Sequence, residues 1–410
     1  MIALDPLLEG GIGLAEVLIV LLKTAVAFGL LLGSVILMIW FERKILGDLQ
    51  NRIGPNKAGP WGILQTLADG LKLILKEDNI PDKADRRVFI LAPFLSVVPA
   101  FVTFSIIPIA GAFDGDREGV VSLFGHDTYL QLADPPVGVL LFLAMSSIAT
   151  YGVMLAGWSS GSKYPLLGSV RGAAQMISYE AALGLATVTV VMLAGSLSTH
   201  EIVATQAGNG YDLFGVIPIP HWNLVATGLV PFVVFFIAGT AELNRPPFDL
   251  VEAEQELVGG FHTEYSSFRF ALFYLAEFMN TITMSAIIVT LFLGGPAGPT
   301  YFGPGWLWGV IWFSLKLFVF LFMFVWVRAT LPRFRYDQLM NIGWKVMIPL
   351  ALAWVMLLGA INIARDEDWN LPAVVIGAFL ALVAGWVILT GAVDMARRRR
   401  SAELTEEALN

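Results

Sequence analysis

The sequence has no cysteine and only four histidines among its 410 residues. Without cysteine the chain forms no disulfide and offers no thiolate to an iron–sulfur cluster or a zinc site. The histidines stand far apart and do not show metal-ligand spacing: His126, His200, His221 and His262. We therefore expect no metal site and no complete active site in this chain alone. The electrons of any redox reaction must then come from a partner protein.

Charged residues are also scarce, at 14% of the chain against 57% hydrophobic residues. About a quarter of the residues of a soluble globular protein are charged. This composition is therefore typical of a protein with many membrane spans. The first residues, MIALDPLLEGG, lack the basic start of a secretory signal peptide, and we predict that they are not removed as one.

Apolar runs of about 20 residues, the length that crosses the hydrocarbon core, recur along the whole chain. They lie near residues 14–41, 88–112, 137–157, 173–197, 224–243, 267–293, 305–328, 343–364 and 371–393. We predict an all-α polytopic membrane helix bundle with nine transmembrane helices. The predicted domains are one membrane domain (1–364), an extra C-terminal transmembrane helix (365–393) and a charged cytoplasmic tail (394–410).

Positive charge alternates between the loops that join these spans. Residues 42–87 hold nine Lys and Arg and residues 328–345 hold four, whereas residues 198–223 and 294–304 hold none. Basic loops stay in the cytoplasm. We predict an N-terminus outside the cell and a C-terminus in the cytoplasm.

The first cytoplasmic connection combines a turn-rich segment with an amphipathic one. Residues 41–60, FERKILGDLQNRIGPNKAGP, are dense in Gly, Pro and Asn and predict an ordered loop, after which Pro60 begins a helix. Over residues 61–77 one helical face is polar, with Gln65, Asp69, Lys72 and Lys76, and the other is apolar. This pattern predicts an interfacial helix at the membrane surface. An ordinary surface helix packed on the bundle is the alternative.

The most unusual stretch is residues 241–267, where six carboxylates accompany a single cation, Arg245. The carboxylates are Glu242, Asp249, Glu252, Glu254, Glu256 and Glu264. We predict a short helix capped by Asp249, with Glu252 and Glu256 on one face. Repulsion and burial would raise the pKa of at least one of these carboxyls, which suits proton transfer. A solvated acidic loop is the equal alternative.

Three ionisable residues, Lys23, Glu180 and Lys316, lie well inside predicted spans. Lys23 can extend to the membrane surface. For Glu180 and Lys316 a functional role is the default, and a structural ion pair between buried groups is the alternative. Glu242 and Glu277, at the edges of the fifth and sixth spans, can extend a file of carboxylates from Glu180 to the acidic stretch.

Four blocks of the sequence resemble the H-subunit family of bacterial NADH-quinone oxidoreductase, respiratory complex I. They read ERKILGDLQNRIGPNKAGPWGILQTLADGLKLILKE (42–77), GWSSGSKYPLLGSVRGAAQMISYE (157–180), AELNRPPFDLVEAEQELVGGFHTEYSS (241–267) and FVWVRATLPRFRYDQLM (324–340). The resemblance runs from residue 16 to residue 363. Most members of that family resemble an eight-span protein, so the ninth span and the tail RRRRSAELTEEALN are a departure from it.

The resemblance implies that the chain joins the membrane arm of the enzyme to its hydrophilic arm, in the bacterial inner membrane. It implies a quinone tunnel lined by Arg43, Arg52, Asp69, Lys72, Arg333, Arg335 and Asp337. It also implies a proton route through Glu180, Glu242, Asp249, Glu252, Glu254, Glu256 and Glu264, to which we add Glu277.

The same resemblance implies the partners of the chain. They are the other membrane-arm subunits, the quinone-site and iron–sulfur subunits of the hydrophilic arm, quinone and lipid, with no nucleic acid. Quinone is then a substrate, the chain itself binds no cofactor, and FMN and iron–sulfur clusters are expected on partner subunits.

Two other functions remain open at this point. The membrane subunit of a proton-pumping hydrogenase, or of a quinone reductase with another electron donor, resembles this chain in the same acidic loop. The ERK and RIGPNKAGP residues favour the NADH-quinone enzyme. A secondary transporter also places ionisable groups at mid-membrane, but we find no internal repeat of the kind that such folds show.

Overall fold

The computed structural model describes residues 5–8, 11, 13–113, 119–207, 211–213, 217–219, 221–252 and 254–370, with a few further residues between 372 and 385. These residues are mostly helical. Their strands form two short antiparallel hairpins, in which Val120–Leu123 (β1) pairs with His126–Tyr129 (β2), and Tyr211–Leu213 (β3) with Ile217–Ile219 (β4). The predicted all-α membrane bundle is confirmed.

Seven helical segments in the described part of the chain are long and apolar enough to cross a membrane. They are α1 (Leu14–Leu49), α3 (Arg86–Ser105), α4 (Gly138–Ser159), α5 (Lys163–Ala194), α10 (Ser267–Phe292), α11 (Gly305–Thr330) and the segment Tyr336–Asp366. That last segment contains α12 (Tyr336–Ile342), a π-helical turn (Gly343–Met347) and α13 (Ile348–Asp366). The predicted ninth span lies largely outside the described residues.

Shorter helices occupy the connections between these segments. They are α2 (Gln65–Leu75), α6 (Thr199–Gln206), α7 (Asn223–Ala226), α8 (Leu229–Glu242) and α9 (Glu254–Leu257), with 3-10 turns at Pro6–Leu8, Pro60–Gly62 and Gly260–His262.

The fifth predicted span, residues 224–243, is not one continuous helix. It is divided into α7 and α8 at Gly228, whose φ of 80° lies in the left-handed region that favours glycine. The 14 residues of α8 reach about 21 Å at about 1.5 Å per residue. That length is less than the hydrocarbon thickness of about 30 Å.

The helix α10 lies at the centre of the bundle. Of its most apolar 18-residue window, 83% is buried, and it packs against α1, α3 and α11 on different sides. Next to it α3, α4 and α5 pack in chain order, and α5 also contacts α8. Glycine permits this close approach, since a Cβ at Gly157 of α4 would collide with Ser169 of α5.

The first helix is longer than predicted. It continues to Leu49, through nine residues that the sequence pattern assigns to a loop. Most of these residues are good helix formers, and the density of Gly, Pro and Asn belongs to the residues after them. The loop then folds back on the helix, because a Cβ at Gly47 would lie only 2.9 Å from the backbone nitrogen of Gly54. The amphipathic helix was predicted over 61–77 and is observed as α2.

The chain divides into two compact units, Met1–Ile348 and Pro349–Asn410. All the sites described below lie in the first unit. The second unit contains most of α13, a 19-residue helix. The predicted division at residue 364 stays a prediction.

Candidate functional site

A cavity of about 560 Å³ lies between α1, α2 and α10. We call it the large cavity. Its walls are mostly apolar and include Val35, Ile36, Ile39, Leu67, Leu71, Ile74, Phe268, Leu272 and Leu275. Three charged residues, Arg43, Asp69 and Lys72, also line it. The apolar face of α2 therefore forms a wall of a cavity that also contains fixed charges.

The charged residues of the large cavity are held by an ion pair between α1 and α2. The Nη1 atom of Arg43 lies 2.5 Å from Oδ2 of Asp69, and Nε2 of Gln65 donates a hydrogen bond to the other oxygen at 3.1 Å. Burial opposes ionisation of Asp69, but the hydrogen bonds from Arg43 and Gln65 outweigh it and lower the pKa of that carboxyl. Asp69 therefore stays charged at neutral pH.

A buried ion-pair network lies beside this cavity. Its centre is Glu42, which approaches Nη1 of Arg245 at 2.5 Å through Oε2 and pairs with Arg328 through Oε1. The Nε atom of Arg245 also lies 3.0 Å from Oε1 of Glu277. The guanidinium of Arg245 covers the ring of Phe278 at 4.4 Å. The network joins α1, α10 and α11 to the acidic stretch.

A second cavity, of about 70 Å³, lies where α8, the acidic stretch and α10 meet. We call it the carboxylate cavity, because Glu242, Glu252 and Glu277 line it. His262 lines it too, with Nδ1 3.9 Å from Oε1 of Glu252. The Oε2 atom of Glu242 is buried and has no hydrogen-bond partner among the described residues.

The carboxylate cavity continues towards Glu180. A third cavity, of about 40 Å³, shares Glu242 and Asn280 with it and extends to Ser146 on α4. The next residue on that helix, Ser147, donates its hydroxyl hydrogen bond to Oε1 of Glu180. Carboxylates and small cavities with some polar lining residues therefore extend from the acidic stretch towards the middle of α5.

The protonation states in the carboxylate cavity differ from those in water. Burial, followed by the charges of Glu277 and Asp249, raises the pKa of Glu252 to about 8. Its side chain is 36% exposed, so water screens part of this effect. Burial lowers the pKa of His262 to about 4. At neutral pH the cavity therefore holds a carboxylic acid beside a neutral imidazole.

The raised pKa of Glu252 predicts a pH dependence of stability. An unfolded chain releases this proton near pH 4.5, whereas the folded chain keeps it to about pH 8, so stability is lost as the pH rises between these values. We expect Glu252→Gln to reduce the fall in Tm between pH 5 and pH 8. The control is Glu256→Gln, at an exposed carboxylate. Equal pH dependence in the wild type and in Glu252→Gln would contradict the assignment.

Comparison with known proteins identifies the family. A family model described as NADH dehydrogenase matches residues 22–359. The chain belongs to the NADH dehydrogenase family. The H subunits of NADH-quinone oxidoreductase from Frankia alni and Frankia casuarinae are each 50% identical to it over 377 residues, covering 89% of this chain and 79% of each relative. The H subunit from Streptomyces avermitilis is 45% identical over 365 residues, covering 87% of this chain and 76% of the relative. The predicted resemblance is confirmed.

In this NADH dehydrogenase family member the predicted quinone-tunnel residues fall into two groups. Arg43, Asp69 and Lys72 line the large cavity. The others are not among the described residues that line it: Arg52, Arg333, Arg335 and Asp337.

The second group lies on the surface, near the acidic stretch or in the loop after α1. Nη2 of Arg333 lies 2.7 Å from Oδ2 of Asp249. Arg335 and Asp337 are exposed and lie 3.7 Å apart, and Arg52 is exposed after α1. The side chains of Arg52, Arg335 and Asp337 are therefore accessible at the surface of this chain.

The predicted helix from Asp249 was wrong. Helix α9 covers only Glu254–Leu257, and the carboxylate of Asp249 pairs with Arg333. Glu252 precedes α9 and lines the carboxylate cavity, whereas Oε2 of Glu256 lies 2.8 Å from Nη1 of Arg171 at the surface. The two residues therefore do not form one repelling pair.

Two further acidic residues of the stretch, Glu254 and Glu264, were predicted to belong to the proton route. Glu264 is half-buried in the turn before α10. The side chain of Glu254 lies outside the described residues. Their predicted place in the proton route stays a prediction.

The two intramembrane lysines have structural partners. Nζ of Lys316 donates to the carbonyls of Leu293, Gly295 and Ala297 at 2.8, 2.9 and 2.8 Å, so the alternative of an ion pair with Glu180 was wrong. Nζ of Lys23 lies 2.6 Å from Oδ2 of Asp5, which precedes α1, and 9% of the Lys23 side chain is exposed.

Two residues of the network, Glu42 and Arg328, were not predicted as functional residues. One signal was present, since Glu42 begins a charged triplet that follows directly on an apolar run. Arg328, at the end of α11, entered the prediction only as a positive charge that sets orientation. Arg245 is the single cation of the acidic stretch, and the structure shows that it neutralises buried carboxylates there.

Proposed function

We propose that this chain, a membrane subunit of an NADH-quinone oxidoreductase, binds quinone in the large cavity and conducts protons along the carboxylates behind it. Support comes from the position of α10. One face of this helix lines the apolar cavity beside Arg43 and Asp69, and another lines the carboxylate cavity. The relatives from Frankia and Streptomyces are named as quinone oxidoreductase subunits.

The large cavity matches the two parts of a quinone. Its volume of about 560 Å³ falls within the usual range of roughly 300–1,000 Å³ for small-molecule sites. Its apolar walls suit a long hydrocarbon tail, and the Arg43–Asp69 pair with Lys72 offers hydrogen bonds to a polar head. The exposed leucines of α2, Leu67, Leu71 and Leu75, would face lipid and give the tail a route from the membrane.

The partner subunits must supply the electrons, since this chain has no cysteine for an iron–sulfur cluster. In the proposed assembly FMN and the clusters lie on the hydrophilic arm. That arm would dock on the charged surface formed by Arg52, Arg335 and Asp337, which are exposed in this subunit. Other membrane-arm subunits and lipid would cover the apolar outer faces of the spans.

The proton route would begin at Glu252, which keeps its proton at neutral pH. It would continue through Glu242 and Glu277 and reach Glu180, near the hydroxyl of Ser147. The two small cavities, of about 70 and 40 Å³, are each larger than the share of about 30 Å³ that one water occupies. Water in them would bridge the carboxylates.

The chain is a multi-pass protein of the inner membrane, and we propose its orientation from the loop charges. The basic loops and the acidic stretch would face the cytoplasm, where the hydrophilic arm docks. The N-terminus would then face the outside and the C-terminus the cytoplasm.

A photoreactive quinone analogue tests the quinone site in the assembled complex. We expect it to label residues 67–74 of α2 and 268–275 of α10, with protection by excess quinone. Leu71→Trp, which places a larger side chain in the lining of the large cavity, should reduce this labelling at least about 10-fold. Leu75→Trp is the matched control, because Leu75 is exposed on the same helix and is not among the described lining residues. Labelling confined to residues 119–137 would contradict the proposal.

A further inference from the structure

The large cavity and the carboxylate cavity share one wall. Of the described residues that line the two cavities, Phe270 and Tyr274 are common to both. They lie one turn apart on α10, and their rings stack with centroids 6.2 Å apart. Phenylalanine has no exchangeable proton, whereas the tyrosine hydroxyl both donates and accepts hydrogen bonds. Tyr274 therefore provides the polar group in this shared wall.

Tyr274 lies between the charged residues that line the two cavities. On the side of the large cavity lies Arg43, which lines that cavity and pairs with Asp69 at 2.5 Å. On the other side lies Glu277, which lines the carboxylate cavity three residues further along α10 and approaches Arg245 at 3.0 Å. No other described side chain combines these positions with a proton that it can release, because a guanidinium does not deprotonate in proteins.

We propose that the hydroxyl of Tyr274 carries protons from the carboxylate cavity to quinone in the large cavity. This inference rests on the proposed quinone site and proton route, and it names the residue that connects them. Without such a group, the rings of Phe270 and Tyr274 would insulate the carboxylates from the quinone.

The transfer is balanced in atoms and charge. A carboxylic acid of the cavity, Glu252 or Glu277, gives its proton to the oxygen of Tyr274 as the original O–H bond of the tyrosine breaks. The released proton forms an O–H bond on the reduced quinone, whose electrons come from NADH through the partner subunits. The tyrosine hydroxyl is regenerated, and the carboxylate left behind takes its next proton from the route. Because gain and loss are concerted, no phenolate accumulates.

Tyr274→Phe in the assembled complex tests this relay, because it removes the hydroxyl and keeps the ring. The ring contacts with Phe270 and Phe278, at 6.2 and 4.9 Å, are retained. Inside-out membrane vesicles allow quinone reduction and proton uptake to be measured with NADH, per assembled complex. We expect normal abundance, both rates at least about 10-fold lower, and a smaller solvent deuterium isotope effect on quinone reduction.

The matched control is Tyr265→Phe. The hydroxyl of Tyr265 is also buried, but it donates to the carbonyl of Phe89 at 3.1 Å, and the residue is not among the described lining residues of either cavity. We expect Tyr265→Phe to keep its rates and isotope effect within about 2-fold of the wild type. Tyr274→His should restore part of the activity that Tyr274→Phe loses, since imidazole also relays protons.

The outcomes separate the relay from the route that it would serve. If Glu242→Gln stops pumping while Tyr274→Phe keeps wild-type rates and isotope effect, the relay is refuted and the proton route stands. If Glu242→Gln pumps normally, the proposed route fails and the relay fails with it. A third outcome is that Tyr274→His loses as much activity as Tyr274→Phe does, with the isotope effect of both variants equal to that of the wild type. That result would give Tyr274 a packing role and overturn the inference.

Discussion

Replacing Glu42 by alanine is expected to prevent stable assembly of this chain. The change removes the partner of both Arg245 and Arg328, and only 2% of the Arg245 side chain is exposed. Breaking a buried ion pair from one side costs about 3–5 kcal/mol, because it leaves a charge without compensation. The whole free energy of folding is only about 5–15 kcal/mol. Glu277 remains beside Arg245, but it cannot reach the position of Glu42 on α1. The amount of assembled complex in membranes, and its Tm in mild detergent, measure the effect.

Two further variants make this prediction specific. Glu256→Ala removes an exposed partner of Arg171, and exposed pairs contribute only about 0–1 kcal/mol, so its abundance should match the wild type. Glu42→Met combined with Arg245→Met removes both charges of the most buried pair and should recover part of the assembly. Equal abundance of Glu42→Ala and Glu256→Ala would show that the network does not stabilise the bundle.

The helices were largely predictable because their signals are local. A run of about 20 apolar residues identifies a span wherever its neighbours lie. The polar and apolar faces of residues 61–77 likewise predict α2 without its partners. The errors have a different physical origin. Gly228, whose φ lies in the left-handed region, divides the fifth predicted span into two helices. The loop after α1 passes back over Gly47 through backbone contacts, and the spacing of apolar residues gives no information about such contacts.

The composition of the candidate site was predictable, and its pairing was not. Adjacent residues on a helix point about 100° apart. This rotation separates Arg43, which faces α2 and Asp69, from Glu42, which faces the interior and Arg245. In the sequence they are two neighbouring charges of an ERK triplet. Which of them faces the core depends on how α1 packs against α10 and α11, and that is a tertiary property.

In the acidic stretch, too, the sequence indicates which charged residues are present but not which of them form pairs. Its carboxylates were expected to interact through one helical face, as Glu252 and Glu256. Instead Arg333 holds Asp249, and Arg171 holds Glu256, and both arginines come from distant parts of the chain. Glu252 alone of these three lines the carboxylate cavity, where Glu242 and Glu277 reach it from α8 and α10. We therefore do not expect Glu256 to substitute for Glu252.

Glu180→Gln is expected to assemble normally and to lose proton translocation by at least about 10-fold, with quinone reduction slowed. Glutamine keeps the volume of the side chain and an oxygen that accepts the hydrogen bond from Ser147, but it does not titrate. Lys316 is held by three backbone carbonyls, so the variant leaves no buried cation without a partner. Complex abundance, quinone reduction and proton uptake in inside-out vesicles measure the three expectations.

The controls for Glu180→Gln distinguish proton transfer from structure. Glu201→Gln removes an exposed carboxylate on α6 and should leave abundance and pumping unchanged. Lys316→Met should reduce abundance, because three carbonyls lose their buried donor. If Glu180→Gln shows the same loss of abundance as Lys316→Met, Glu180 has a structural role. If it keeps full abundance and full pumping, the proton route does not pass through α5. In that case protons from the cavities around Glu242 would have to leave through another helix.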